Sequence, residues 1–292
     1  MTASNPTGRH ELVVVTGAST GMGAATAREL ARRGLHVLAG VRRDIDADAL
    51  RGEGIEPHIL DITVDSHVAA IADRVAHDPL GRPLRALINN AGISVNAPVE
   101  ALPIADWRRQ FEVNLFGHIA MTRALLPALL SSSGTVVNIS SVGGKVALPT
   151  YGAYAGSKFA LEAASDSLRR EVADLGVRVV VVEPGAVKTE MLERGVANAD
   201  RLKADMTIDQ LERYGDLVAA ISEQARSFGK HGVPAERAAQ IIAKVATAPR
   251  PRTRYTVGRD AAALVRLSRL LSDRFLDRIL RLNLRAYRDA NA

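Results

Sequence analysis

The sequence predicts a doubly wound α/β fold, a parallel sheet with helices on both faces. Three observations predict it. Short apolar runs alternate without interruption with longer helical stretches. Several runs are apolar at consecutive positions, as strands covered on both faces require. A glycine-rich turn joins the first run to the first helix, at the carboxyl end of a strand, where open α/β sheets bind ligands.

The elements follow in order. Leu12 to Val15 is short and β-branched and reads as a buried strand. An Ala-rich helix continues to Arg33, and Gly34 ends it as a C-terminal cap. Strands are expected at Val37 to Val41, Ile55 to Leu60 and Ala86 to Ile88, with a helix over Val68 to Val75. A long helical segment covers roughly 104–130. Thr135 to Ile139 and Val177 to Val182 are further strands, separated by a helix over about 152–174. Residues 188–232 break the pattern; they are charged and weakly periodic and carry Met191, Met206, Tyr214 and Phe228. A short helix (234–247) and an extended piece (254–257) follow. No repeat and no Pro-, Gly- or Ser-rich linker divides the chain. The reading is one domain over 1–292, with a flexible tail at 1–10, a lid at 188–232 and a basic helical tail at 258–292.

Composition narrows the function. The 292 residues are 47% apolar and 24% charged, an ordinary globular balance. There is no cysteine, which excludes disulfides, thiolate metal sites and a cysteine nucleophile and fits a reducing compartment. No apolar run reaches the ~18–20 residues of a membrane span, and Met1 to His10 lacks a signal-peptide core. A cytoplasmic location is the expectation. The net charge is +6, yet residues 250–292 alone carry 11 Arg and 4 Asp. The excess therefore belongs to the tail, whereas a nucleic-acid enzyme would carry it around its site. The seven histidines show no metal-ligand spacing, and no G-x-S-x-G elbow occurs.

The turn Thr16-Gly17-Ala18-Ser19-Thr20-Gly21-Met22-Gly23 suits a pyrophosphate at a helix N-terminus. Its spacing is G-x-x-x-G-x-G, not G-x-G-x-x-G. The acidic residue that would hold a ribose 2′-hydroxyl is missing from the end of the second strand, which closes in Arg42-Arg43. Two guanidiniums suit a 2′-phosphate, so NADP(H) is expected over NAD(H), with Asp44 and Asp46 close enough to compete. Tyr154 and Lys158 share a helical face, and an ammonium there should lower the phenol toward neutrality, making it a general acid or base. Tyr151 lies on nearly the same face, and spacing does not choose between the two tyrosines. Ser141 closes the fifth strand and could bond a substrate oxygen; its neighbour Ser140 would point away if the strand continued.

Together these pieces resemble the short-chain dehydrogenase/reductase family over roughly residues 11–190. The matching motifs are the glycine loop, Asn89-Asn90-Ala91-Gly92, Asn114, Ser141, Tyr154-x3-Lys158 and Pro184-Gly185-x-Val187-x-Thr189. The resemblance implies a Rossmann fold and an oxidoreductase. It implies Tyr154 as catalytic acid/base, Lys158 as its partner and ribose ligand, Ser141 as orienter of the carbonyl and Asn114 as holder of a relay water. Cofactor contacts are implied for Gly17, Ser19, Thr20, Gly21, Met22, Gly23, Arg42, Arg43, Asp61, Ile62, Asn89, Asn90, Ala91, Gly92, Tyr154, Lys158, Pro184, Gly185, Val187 and Thr189. Tyr154 is thereby selected over Tyr151, and Ser141 over Ser140. Similarity to the hydroxysteroid and retinol dehydrogenase branch adds an expectation of apolar alcohols or ketones. Another carbonyl class, or an NADP(H)-sensing protein without turnover, is the alternative. A homodimer or homotetramer is implied through the helices near 104–130 and 152–174.

Leu264, Leu267, Leu271, Phe275, Ile279 and Leu282 recur at helical spacing in the tail. Three readings stand: a helix packed on the body or a second subunit, a basic helix on an anionic membrane, or a nucleic-acid contact.

Overall fold

Seven parallel strands form the central sheet: β1 (Leu12–Val15), β2 (His36–Val41), β3 (Ile55–Ile59), β4 (Leu84–Asn89), β5 (Thr135–Ile139), β6 (Arg178–Pro184) and β9 (Arg254–Val257). This computed structural model describes residues 11–289; the expected tail at 1–10 lies outside them. The strand order is β3-β2-β1-β4-β5-β6-β9. The chain winds outward from β1 in one direction, then from β4 in the other. The carboxyl ends of β1 and β4 therefore flank the crevice where such sheets bind ligands.

Strand periodicity divides the core in two. Val13 and Val15 of β1 face one cluster with Val37, Ala39, Ala86 and Ile88. That cluster is covered by α1 (Gly21–Arg32), α2 (Asp44–Leu50) and α9 (Ala235–Thr247). Leu12 and Val14 face the other, with Leu38, Leu84 and Leu87. There α3 (Asp65–Ala76) contributes Val68 and Ile71, and α5 (Gly117–Ser132) contributes Met121, Leu125 and Leu129. Leu168 of α6 (Gly152–Glu171) packs against the same cluster. The doubly wound class is thus what the folded chain shows. Strand boundaries differ modestly: β4 begins at Leu84, β6 continues to Pro184, and α6 stops at Glu171.

Three expectations need correction. The first concerns membrane-span length. α4 (Ile104–Phe111), a π-helical turn (Glu112–Phe116) and α5 make one continuous helical stretch. That stretch, Ile104–Ser132, is long and apolar enough to cross a membrane by length and composition. Its apolarity serves the second core cluster, through Met121, Leu125 and Leu129. The second concerns residues 188–232, which are two helices, α7 (Glu190–Ala204) and α8 (Ile208–His231). A full capping box at Thr207 and Gln210 starts α8. A short parallel ribbon of β7 (Val187–Lys188) and β8 (Val233–Pro234) closes the base of this excursion. The third concerns the tail, whose stripe is split into α10 (Arg259–Leu270) and α11 (Asp273–Asp289). The chain breaks helix at Leu271, and the Ser272 carbonyl accepts from the N–H groups of Phe275 and Leu276 to restart it. Leu284 is buried, and Asn283 accepts from Gln224 of α8 at 2.7 Å, while Leu270, Phe275 and Leu282 are exposed.

Charged side chains fasten the far edge of the sheet. Glu56 of β3 accepts from Arg74 Nε and Nη2, at 2.9 and 2.8 Å, and contacts His36 and His58. Burial alone would lift the Glu56 carboxyl; the hydrogen bonds from Arg74 and His36, with the Arg74 charge, outweigh it and hold it at about 2. Its folded-state value lies below the ordinary 4.5, so its stabilisation is complete above pH 4.5 and is lost as pH falls toward 2. Glu56→Gln should therefore flatten the acid limb of stability in that window, read as urea midpoints against pH. An acid limb identical to the wild type's would refute this assignment.

Candidate active site

β1 delivers the glycine loop to the end of β4. Gly17 has φ +63, and a Cβ there would stand 2.7 Å from the Ala91 Cα. A Cβ on Gly23 would fall on the carbonyl oxygen of Gly17. Glycine at both positions lets the loop close down. Asn90 Nδ2 donates to the carbonyls of Thr16 and Gly17 at 2.9 and 3.0 Å. Thr16 Oγ1 accepts from the backbone N–H of Asn90 and of Ala91, each at 3.0 Å. Thr20 caps α1 without a side-chain bond, and no acidic residue stands in the first turn. The helix N-terminus is thus open to an anion, and the cradle fits a pyrophosphate. Thr189 stands over Gly21 from the start of α7.

The two arginines after β2 are not equivalent. Arg43 is spent on Asp46, with Nε and Nη2 at 2.8 and 2.6 Å. Arg42 is exposed and has no hydrogen-bond or ion-pair partner among the described residues. Asp61 follows β3, its carboxylate accepting from the Thr63 N–H and hydroxyl at 3.0 and 2.7 Å. Burial would raise that carboxyl, but the Thr63 bonds prevail and keep it low. Ile62 is buried against Gly117. Asn89 is fully buried, its amide donating to Thr122 and Asn138 at 2.9 Å, so it faces the core rather than the crevice.

β5 and α6 bring the reactive groups together. β5 ends at Ile139, so strand alternation no longer separates Ser140 from Ser141, and both line the adjoining cavity. Ser141 Oγ accepts from the Gly143 N–H at 3.0 Å, and a Cβ on Gly143 would stand 3.1 Å from the Tyr154 ring and 3.3 Å from that Oγ, which sets the two side chains beside one another. Lys158 lies one turn beyond, with Nζ 6.0 Å from the Tyr154 ring centre and donating to the Ile139 carbonyl at 2.8 Å. Asn114 sits within the π-helical turn, a distortion that recurs at functional sites. Its amide bridges the N–H and carbonyl of Ile93, each at 2.9 Å, and donates to Ser157 at 3.1 Å. A Cβ on Gly92 would stand 3.3 Å from Asn114 Oδ1 and 3.8 Å from Lys158 Nζ, which places all three together.

Electrostatics here depart from the sequence expectation. Burial pushes the Tyr154 phenol up, and the Ser141 hydrogen bond only partly offsets it. The ammonium does not lower it, because Lys158 is turned to the Ile139 carbonyl. Burial lowers Lys158 itself to about 8. Tyr151 packs edge-on to Tyr154 at 6.1 Å and is pushed up to about 12, again by burial. His118 is fully buried, donates to the Ala91 carbonyl at 2.7 Å and is held neutral, at about 3, by burial and the Lys158 charge.

From Ser141 and Tyr154 a cavity opens beneath α7 and α8. Val142, Val146, Leu148, Met191, Leu192, Ile221 and Phe228 are among its walls, and none of the described residues lining it is charged. Pro184, Gly185, Val187 and Thr189 form one side. Met22 of the glycine loop reaches it as well. Of the four bulky residues noted in 188–232, Met191 and Phe228 line it. Met206 and Tyr214 do not; Tyr214 donates to Glu100 at 2.8 Å instead. Leu264, placed by the sequence in the tail stripe, is also a wall residue. Sequence reasoning missed this, and no local signal carries it.

Comparisons with known proteins agree with the geometry. The short chain dehydrogenase family model matches residues 11–200. Retinol dehydrogenase 16 of Homo sapiens is 38% identical over 264 residues, spanning 88% of this chain and 83% of the relative. An NADPH-dependent 3-dehydrocapnine reductase of Ornithobacterium rhinotracheale is 32% identical over 275 residues, spanning 91% and 94%. A short chain dehydrogenase from Burkholderia cenocepacia J2315, solved in complex with NADP, superposes with TM-score 0.72 at 27% identity, covering 94% of this chain and 98% of that one. An anion cradle on a Rossmann sheet, a Ser–Tyr–Lys cluster beside it and these likenesses lead to one assignment: the chain belongs to the short-chain dehydrogenase/reductase family of NAD(P)-dependent oxidoreductases.

Proposed function

We propose that this enzyme uses NADP(H) to interconvert an apolar ketone and its alcohol. The observation that carries the reading is the cavity, which ends at Ser141 and Tyr154 and has no charged side chain on its described walls. A sugar acid, a coenzyme A thioester or a sulfonate would leave its charge there without a partner, at a large desolvation cost. A steroid- or retinoid-like carbonyl would not. The named retinol dehydrogenase relative agrees with an apolar substrate. The NADPH-dependent relative and the NADP complex agree with the phosphorylated cofactor.

When bound, the nicotinamide supplies or accepts the hydride at the carbonyl carbon. The residues of the chain do the rest. The Ser141 hydroxyl and the Tyr154 phenol both line the cavity and would meet a carbonyl oxygen bound there. A phenol held up by burial is protonated at neutral pH and can donate to that oxygen during reduction. In the reverse direction it receives the alcohol proton. Lys158 would hold the ribose and, turned from the Ile139 carbonyl toward the phenol, would favour the phenolate once the proton has left. Asn114, locked by Ile93 and Ser157, fixes the backbone behind Lys158 and carries the relay water. Gly17, Ser19, Thr20, Gly21, Met22 and Gly23 cradle the pyrophosphate. Asp61 and Ile62 flank the adenine. Ala91 and Gly92, with Pro184, Gly185, Val187 and Thr189, line the remaining length. Asn90 acts by holding the cradle shut. α7 and α8 serve as the lid.

Tyr154→Phe should lose about 10²–10⁴-fold in turnover while cofactor binding persists, measured by steady-state rates and a thermal-shift titration. Turnover near wild type would refute the acid/base role and favour a non-catalytic NADP(H) sensor. For the 2′-phosphate, Arg42→Ala should weaken NADPH about tenfold to a hundredfold and spare NADH. Arg43→Ala should change little, because that guanidinium is already held by Asp46. Equal losses of both cofactors in Arg42→Ala would remove the preference.

A second copy of the chain is the reading for the α5–α6 face. Phe116 and Phe159 are about half exposed there, beside a groove lined by Leu126, Leu161 and Leu168. Light scattering should return a dimer or tetramer at micromolar concentration, and a monomer would overturn it.

A further inference from the structure

Beneath the reactive cluster lies a group of charges that the acid/base reading does not use. Glu162 follows Lys158 by one turn of α6, on the same face. Its side chain is 5% exposed, and Oε2 meets Lys145 Nζ at 2.7 Å and Arg254 Nε at 3.1 Å. Its Oε1 is buried without a hydrogen-bond partner among the described residues. Arg254 of β9 also reaches Asp166 at 2.9 Å and Glu183 at 3.4 Å. Glu183 of β6 accepts from Thr256 at 3.0 Å and lies 3.9 Å from Lys145. Burial, then the like charge of Glu162, lifts the Glu183 carboxyl above its ordinary range.

Three carboxylates, Glu162, Asp166 and Glu183, thus share Lys145 and Arg254, and Arg169 reaches Asp166 as well at 3.2 Å. Glu162 is the member that touches the reactive pieces. A Cβ on Gly144 would stand 3.2 Å from Glu162 Cγ and 3.1 Å from the Lys158 carbonyl oxygen. The stem of Glu162 therefore lies against the short 3₁₀ turn Val142–Gly144 that Ser141 caps, and Lys145 follows that turn.

We propose that Glu162 is a positioning residue: gripped by Lys145 and Arg254, it seats the Ser141 turn on α6 and supplies a buried negative charge one turn along the helix from Lys158. The inference rests on the reading of Lys158 as an ammonium partner of Tyr154. A lysine desolvated among apolar groups sheds its proton unless a charge opposes this. Its own hydrogen bond, to the Ile139 carbonyl, offers only a dipole. Glu162 is the charge that opposes deprotonation of Lys158. The other titratable groups around Glu162 are Lys145, Asp166, Glu183 and Arg254, with Arg169 beyond them on Asp166. His118, on the Lys158 side, stays neutral.

The test follows the titration of Lys158 by NMR of carbon-13-labelled lysine in the full-length protein, without substrate. Glu162→Gln should lower the Lys158 midpoint by about one pH unit. Lys145→Gln, which leaves the carboxylate less neutralised, should raise it. The alkaline limb of kcat/KM should move in the same direction in each variant. An unchanged midpoint in Glu162→Gln, or shifts of one sign in both variants, would overturn the proposal and leave Glu162 a merely structural residue. Lys145 is the more exposed partner, so its variant keeps the test decisive where Glu162→Gln does not fold. The titration is read without turnover, so its outcome is independent of what Tyr154→Phe does to activity.

Discussion

The seam between the ends of β1 and β4 is what the rest of the site hangs from. Two adjacent parallel strands leave their last backbone groups without ladder partners, and here Thr16 and Asn90 satisfy them across the gap. A buried polar group left unpaired costs more than its pairing gains, so this seam tolerates little change. It fixes the glycine loop, which fixes the origin of α1. It also fixes Ala91 and Gly92, against which His118, Asn114 and Lys158 are arranged. The glycine loop and the Asn114–Lys158 cluster share one edge because a single set of hydrogen bonds holds both.

Burial works in opposite senses on the two ionisable groups of that cluster. It favours the neutral phenol of Tyr154 and the neutral amine of Lys158. A site built only from apolar walls would therefore lose the cation that its chemistry needs. Glu162, one turn along α6, carries a buried carboxylate gripped by Lys145 and Arg254, while the adjoining cavity has no charged side chain on its described walls. The turn Val142–Gly144 stands between the two, with Val142 and Gly143 on the cavity and Gly144 against Glu162.

The sheet was legible because its signals are local. Runs such as Leu12–Val15 and Val179–Val182 are apolar at every position, and glycines punctuate them. The glycine loop, Ser141, Tyr154 and Lys158 were legible as motifs at fixed spacing. What failed was whatever depends on a partner far along the chain or on orientation. Arg42 and Arg43 look alike in sequence, and only the conformation of α2 gives one of them to Asp46. Asn89 and Asn90 are adjacent, yet β4 ends between them, and one turns to the core and the other to the seam. Tyr154 was expected low because Lys158 is near, but the ammonium faces a carbonyl and desolvation prevails. Helices α7 and α8 were hidden by their charge, since helices that cover a cavity carry polar residues on the outer face.

The last strand of the sheet comes late in the chain. Arg254 stands 92 residues beyond Glu162, after α7, α8 and α9. The guanidinium that Glu162, Asp166 and Glu183 share thus arrives on the last strand of the sheet, and the β6–β9 ladder that seats it joins residues more than seventy positions apart. Such a non-local pairing is of the kind that slows folding.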